Sequence, residues 1–406
     1  MVPTNSLARA PERLHALDAV RGYALLLGIV LHATISFVPA PTRFWIIQDS
    51  HPSLTLTVMF FVIHVFRMTT FFVIAGFFGH MSFHRRGGAG FIRDRLQRIA
   101  LPLIVACPIV FTAVVPVANW AANFPNGGPP PGAPGWPPVL PAFPLAHLWF
   151  LYVLLQLYAA TLLLRAGIVW LDRDGRIRAV GDRALLWAMR SPLAPVVLAV
   201  PIGIAFNLDP RWLVWLGVRT PDQSLITNAQ ALIGFGTAFG FGWLLHRQTD
   251  LLKILEQRWL FNLVPAIVLI AVCLDLGFIR PPLPAPLRFV AATCYALAIW
   301  TTTFAMIGTA LRFLSGYSGT RRYLADASYW MYIIHIPIVL TLQVAVSQLD
   351  WPWPAKFAGI LLVAIPVMLG SYHLLVRHTF IGAVLNGRRI PRRDANVGTA
   401  ANSAAM

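Results

Sequence analysis

Arg21, Gly28 and His32 share one face of an apolar stretch that runs from Leu17 to Val38. At about 100° per residue, the eleven steps from Arg21 to His32 close to within roughly 20° of whole turns, so the two side chains project together. Asp18, one turn before Arg21, and Gly28, one turn before His32, complete the stripe: an ion pair, a gap and an imidazole. Near neutral pH an imidazole can take the proton of a hydroxyl or briefly carry an acyl group. A rise of about 1.5 Å per residue sets His32 roughly 16 Å beyond Arg21, at mid-membrane depth if the stretch is a membrane span. Ionisable groups at that depth mark a substrate path or proton relay. The structural alternatives are an interfacial Arg21 reaching the headgroups and a neutral His32 bonded to a neighbouring helix.

Three further constellations carry chemistry. His64 and Arg67 stand one turn apart inside the run Phe60 to Phe72. An arginine at the bilayer centre costs around 3 kcal/mol on insertion scales and calls for an anionic or carbonyl partner. Carboxylates are scarce in the spans, with Asp18 and Asp326 near one end and Asp275 near the other, so a carboxylate brought by a ligand competes with helix carbonyls and water as that partner. Arg95 and Arg98, also one turn apart, are expected at the start of a helix, where two guanidinium groups beside the positive end of the helix dipole suit phosphate; the alternative is topogenic charge facing lipid headgroups. His335 follows Ser328 by seven residues on one helix face, just before Pro337, where it serves either the chemistry or the proline kink. His80 and His84 have the spacing of a helical metal pair but no evident third ligand, and no metal is assigned.

The elements that must position these groups are membrane helices. Of 406 residues, 57% are hydrophobic and only 12% charged, and the mean hydropathy is +0.67, which excludes an ordinary soluble domain. The net charge of +17 lies in short loops between apolar runs and forms no basic domain, so it orients the chain and does not bind nucleic acid. Cys107, Cys273 and Cys294 all fall in apolar stretches and read as small core residues. Arg9 and Arg13 precede the first span without a small-residue cleavage site after it, so that span is expected to be retained.

Ten spans are expected, at 18–38, 56–78, 98–118, 147–169, 193–207, 229–246, 259–278, 288–311, 323–347 and 356–376. The fold class is therefore all-α: a bundle of about ten transmembrane helices over residues 18–376, with an N-terminal tail over 1–17 and a C-terminal tail over 377–406 expected to end in a disordered polar stretch. Most of the 32 Lys and Arg fall in the two tails and the even-numbered loops, which places both termini in the cytoplasm. The loop from Asn119 to Ala146 has no Lys or Arg and is rich in proline and glycine, which suits an extended solvated connector or a cover over a site.

With these residues in order, the chain resembles the membrane-bound acyltransferase family 3. The likeness rests on Arg21, ten residues and His32; on Arg95 and Arg98 as the family's RxxR element; on the Phe71 to Phe78 run; on His147-Leu-Trp-Phe-Leu; and on Ser328 to His335, and it covers about residues 14 to 376. It implies a multi-pass protein of the bacterial inner membrane that takes an acyl group from cytoplasmic acyl-CoA and delivers it to a hydroxyl of a carbohydrate, with membrane lipids around it, glycan-synthesis proteins or a second copy as possible partners, and no tightly bound cofactor. Arg95 and Arg98 would hold CoA phosphates, His32 would act as base or acyl carrier with His335 as a second candidate, and Arg21 tied to Asp18 would shape the cytoplasmic mouth. The His64 to Arg67 segment and Thr379 to Arg389 are nearest the branch that succinylates periplasmic glucans, which implies succinyl-CoA as donor; Leu154-Leu155 departs from the O-antigen branch, which often has a glutamate there. The rival from another class is a transporter or exporter of an anionic or glycan-linked molecule, for which inverted repeats and coupling carboxylates are wanting.

Overall fold

The computed structural model describes residues 6–39, 44–133, 139–279 and 283–387, with side chains from His15 onward. Every regular element among them is a helix; extended backbone is confined to two isolated bridges, Ile47 with Gly127 and Ala142 with Ser224. Thirteen α-helices follow in order: α1 Ser6–Ile35, α2 Leu54–Arg95, α3 Leu101–Ala121, α4 Trp149–Leu171, α5 Arg176–Arg190, α6 Ala194–Leu208, α7 Ala229–Arg247, α8 Leu251–Gln257, α9 Trp259–Phe278, α10 Ala285–Phe313, α11 Gly319–Val346, α12 Trp353–Ser371 and α13 Phe380–Asn386. Lipid offers no partner for backbone polar groups, so an apolar chain of this length satisfies them internally in helices.

Seven helical segments are long and apolar enough to cross a membrane, eight if α5 and α6, bent by 108° at their junction, count as one. One of the seven, Leu54–Ala121, is 68 residues long and holds two of the ten expected spans. α7 is an interior helix diluted by Gly234, Gly236, Gly240 and Gly242. Each of the ten expected spans thus lies on a helix of the bundle.

The sequence sets the helix starts locally. Ser53 Oγ accepts from Leu56 N–H at the head of α2, Asn228 Oδ1 from Ala231 N–H at α7, and Ser318 Oγ from Arg321 N–H at α11, each satisfying a donor that the first turn leaves open. α1 packs between α2 and α11, α2 lies along α7, and α10 is sheathed by α6 and α9. The α2–α7 crossing is backbone to backbone: a methyl group on Gly76 would overlap the Phe239 carbonyl, and one on Gly242 would overlap the Val73 carbonyl. Small residues serve this purpose between membrane helices, where close approach takes over the role that hydrophobic burial plays in water.

One expectation about local structure changes. The Arg95–Arg98 segment is no helix start: α2 passes through a π-helical turn, Leu96–Ala100, straight into α3, and Leu96 N–H is already bonded to the carbonyls of Ile92 and Arg93. The break lies earlier, at Gly87, whose φ of 69° and ψ of 174° only glycine adopts readily. The C-terminal tail carries α13, packed on α11 and on the two π-helical turns Leu96–Ala100 and Tyr372–Val376; the polar stretch expected at its end, within residues 388–406, lies outside the described residues.

Candidate active site

A single cavity of about 1130 Å³ runs inside the bundle, lined by α1, α2, α3, α4 and α11. At one end stand Asp18, Arg21, Arg86, Arg98 and Arg322; at the other Trp45, Asn119, Thr220 and Asp222; between them His32, His64, Arg67, His147 and His335. The volume is at the upper end for small-molecule sites and suits a long, flexible ligand.

At its centre, His335 Nε2 lies 3.0 Å from His32 Nδ1, and His335 Nδ1 lies 2.7 Å from the Tyr332 carbonyl oxygen. A carbonyl oxygen only accepts, so Nδ1 of neutral His335 carries the proton and its Nε2 must accept. His32 therefore donates from Nδ1, and its Nε2 keeps a lone pair. The ring also meets the Gly28 carbonyl of its own helix, and the imidazole is stacked on Trp45 at 5.9 Å and 20°, whose indole N–H is held by Gln343 Oε1. Gln343 in turn donates to the backbone carbonyl of His32 at 2.8 Å. The core-histidine reading of His32 is thus half right: it is bonded to a neighbouring helix, by the nitrogen that leaves the reactive one free.

His147 completes a trio that composition and spacing did not assemble, although the His147-Leu-Trp-Phe-Leu motif contained it. Its Nε2 donates to the Ile333 carbonyl at 3.1 Å, its ring stands edge-on to His335 at 4.8 Å, and its buried Nδ1 has no partner.

Arg67 is the second feature of the centre. Its guanidinium lies where a methyl group on Gly28 would sit, which explains the gap in the α1 stripe: glycine there admits a cation from α2 alongside the helix that carries His32. Among the described residues Arg67 makes no hydrogen bond or ion pair, and its Nε is buried and unsatisfied. No helix carbonyl among the described residues bonds it. His64, expected one turn away as a further donor-binding group, lies on the same cavity wall. Its Nε2 lies 3.0 Å from the Leu216 carbonyl, which spends the single N–H of the neutral ring, while the ring stacks on Phe60 at 5.4 Å.

At the arginine-rich end, Asp18 pairs with Arg21 at 3.3 Å as the one-turn spacing predicts, and also with Arg322 at 3.3 Å from α11. Arg95 and Arg98 are neighbours in the cavity wall but differ in exposure and in partners. Both bond the buried carboxylate of Asp94, at 2.7 Å and 3.0 Å, which Arg86 joins at 2.9 Å. Arg95, 18% exposed, is further fixed by Ser82 Oγ and the Tyr158 hydroxyl and lies over the Phe91 and Tyr158 rings. Arg98, 27% exposed, abuts Gly387 at the end of α13. Three guanidinium groups on one carboxylate leave a positive surplus facing the cavity. His246 joins His80 and His84, but the ring nitrogens bond one another at 2.8 Å and 3.1 Å and leave no room for an ion; no group of ligands fit for a metal occurs among the described residues.

The loop between α3 and α4 covers the other end. Gly128 N–H bonds the Ile46 carbonyl, Gln48 N–H the Asn126 carbonyl, and Pro129, Pro130 and Pro144 line the cavity. Part of it covers the cavity while much of the rest, Val139 and Leu140 included, stays exposed; its Trp136 lies outside the described residues.

An all-helical, multi-pass membrane bundle with a histidine pair on the wall of a large, mainly apolar cavity is the class that fold and site define. A family model described as an acyltransferase domain matches residues 14–373, and the chain belongs to that family. Among curated proteins it is similar to those called glucans biosynthesis protein C from Salmonella paratyphi B and Salmonella enteritidis, 31% identical over 145 residues. The match covers 36% of this chain and 37% of each of theirs. No solved structure matches.

Proposed function

We propose that this chain is an O-acyltransferase of the bacterial inner membrane that moves an acyl group, succinyl by preference, from cytoplasmic acyl-CoA to a hydroxyl of a periplasmic glucan or related carbohydrate. The observation that carries the reading is the bonding of His32: a half-buried imidazole on the wall of a cavity of about 1130 Å³, whose Nδ1 meets His335 Nε2, which leaves Nε2 as the basic nitrogen.

Arg98 and the surplus charge around Asp94 would receive the CoA phosphates, and the pantetheine arm would extend along α1 toward His32. His32 Nε2 takes the proton of the acceptor hydroxyl; the oxygen attacks the thioester carbonyl carbon, the C–S bond breaks, and the leaving thiolate recovers the proton from His32. His335 holds the tautomer and stabilises the transient imidazolium by accepting from Nδ1–H.

The preference for succinyl rests on Arg67. A guanidinium inside a membrane bundle without a partner is costly, and a donor whose acyl chain ends in a carboxylate would supply the missing anion beside Gly28. The relatives' printed name, concerned with glucan biosynthesis, agrees with a carbohydrate acceptor.

The test is purified full-length protein in nanodiscs with succinyl-CoA or acetyl-CoA and a gluco-oligosaccharide, the acylated sugar being read by mass spectrometry. Wild type is expected to prefer succinyl, and Arg67→Met to lower succinyl transfer far more than acetyl transfer, by about 1 to 3 kcal/mol in selectivity. Equal losses would make Arg67 a structural or oxyanion-binding group. Absence of acylated sugar, with uptake of sugar into vesicles instead, would support the transporter reading.

A further inference from the structure

The end of the cavity away from the arginines is built by two loops fastened to each other. The segment before α4 and the segment before α7 are tied by Phe143 N–H to the Gln223 carbonyl, Ala146 N–H to the Asp222 carbonyl and Leu225 N–H to the Pro141 carbonyl. Ala146, next to His147, takes a positive φ of 46°, a conformation that non-glycine residues hold only where surrounding bonds impose it. The backbone of Asp222 is thus fixed one residue away from the histidine trio.

The Asp222 side chain lines the cavity and, among the described residues, meets no guanidinium in hydrogen-bond contact. Its hydrogen bonds are one from the Thr220 hydroxyl, at 3.2 Å, and one from its own backbone N–H. Burial pushes the carboxyl above the ordinary carboxylate range, and nearby Arg219 only partly offsets this. An ionised carboxylate has about four acceptor positions and no donor, so most of its capacity is directed at whatever enters. His147 also lines the cavity there, although its unpartnered Nδ1 is buried behind the wall. Trp45, on the opposite wall, offers an aromatic face beside His32. A carboxylate acceptor and an aromatic plate in the cavity that holds the base suit a ligand with adjacent hydroxyls, one to be acylated and another to donate.

We propose that Asp222 is a positioning residue for the acceptor: its carboxylate takes a hydrogen bond from a hydroxyl neighbouring the one that is acylated, so the site selects a polyhydroxylated acceptor over a simple alcohol. This rests on the transferase reading above.

The experiment uses the full chain in nanodiscs, with a gluco-oligosaccharide and, separately, n-butanol as acceptors and one acyl-CoA as donor. Asp222→Asn, which keeps shape and the Thr220 contact, is expected to raise KM for the sugar by about 10- to 100-fold, the size of a lost hydrogen bond to a charged group, with kcat and donor KM within a few-fold and transfer to butanol unmoved. Asp222→Glu is expected to recover part of the sugar affinity. An unchanged sugar KM, or a donor KM that rises with it, would overturn the proposal. His32→Ala separates the two readings: if it transfers like wild type to both acceptors, the transferase chemistry assigned to His32 fails, whatever Asp222→Asn does.

Discussion

His335 Nε2 accepts a hydrogen bond from His32 Nδ1 at 3.0 Å because its own Nδ1 is committed to the Tyr332 carbonyl. One backbone carbonyl thereby determines, two imidazoles away, which nitrogen of His32 is basic. His32→Ala should leave a folded protein with transfer reduced at least about 10²-fold, the usual contribution of a positioned acid-base group. Melting curves and acyl transfer by the purified variant check both halves.

The same relationship gives His335 a distinct signature. His335→Phe removes the acceptor and lets His32 take the other tautomer, so kcat should fall by about tenfold or more with donor KM held. His335→Gln, whose carbonyl oxygen can accept, should recover part of it. A structural role alone would make the two variants alike in kcat and low in melting temperature.

Donor binding should separate the two arginines of the RxxR element. Arg98→Ala should weaken CoA binding about tenfold at low ionic strength and less at high salt, as expected for a charge-assisted phosphate contact, with Arg98→Lys recovering only part. Arg95 is spent on Asp94, Ser82 and Tyr158, so Arg95→Ala should also lower the melting temperature. Calorimetric titration with CoA at two salt concentrations, beside a thermal melt, distinguishes them.

Far from the site, Lys356 Nζ and Asp49 Oδ1 form a fully buried pair at 2.8 Å that anchors the Trp45 loop to α12. Lys356→Met should destabilise by roughly 3 to 5 kcal/mol, because it strands a buried carboxylate. Replacing both partners by apolar residues should recover much of that loss in a thermal melt.

What the sequence made legible is what one helix can encode. Asp18, Arg21, Gly28 and His32 fall into place by helical spacing alone, and the ion pair and the gap are both present. The gap's occupant, Arg67, comes from another helix, and so do the bonds that set the histidine tautomers; periodicity along one segment carries no information about them. The dipole argument for Arg95 and Arg98 failed for a related reason: a π-helical turn carries α2 into α3 with no free N–H groups, whereas the loop charge pattern had suggested a fresh start. Asp94, between the arginines in sequence, was overlooked because its burial under three guanidinium groups depends on Arg86 curling back past the break at Gly87. The proline-rich loop, extended in composition, became in part a cover through backbone bonds to the segment after α1.

The central claim is that one cavity joins a donor entering at the arginine end to an acceptor entering at the Asp222 end, with His32 between. It is tested most directly in sealed proteoliposomes of known protein orientation, with acyl-CoA supplied only on the side of Arg98 and a gluco-oligosaccharide enclosed only on the side of Asp222. The account predicts acylated sugar inside the vesicles, absent with His32→Ala and absent when the two substrates are exchanged across the membrane. Acylated sugar formed only when donor and acceptor share one side, or formed equally by His32→Ala, would contradict it.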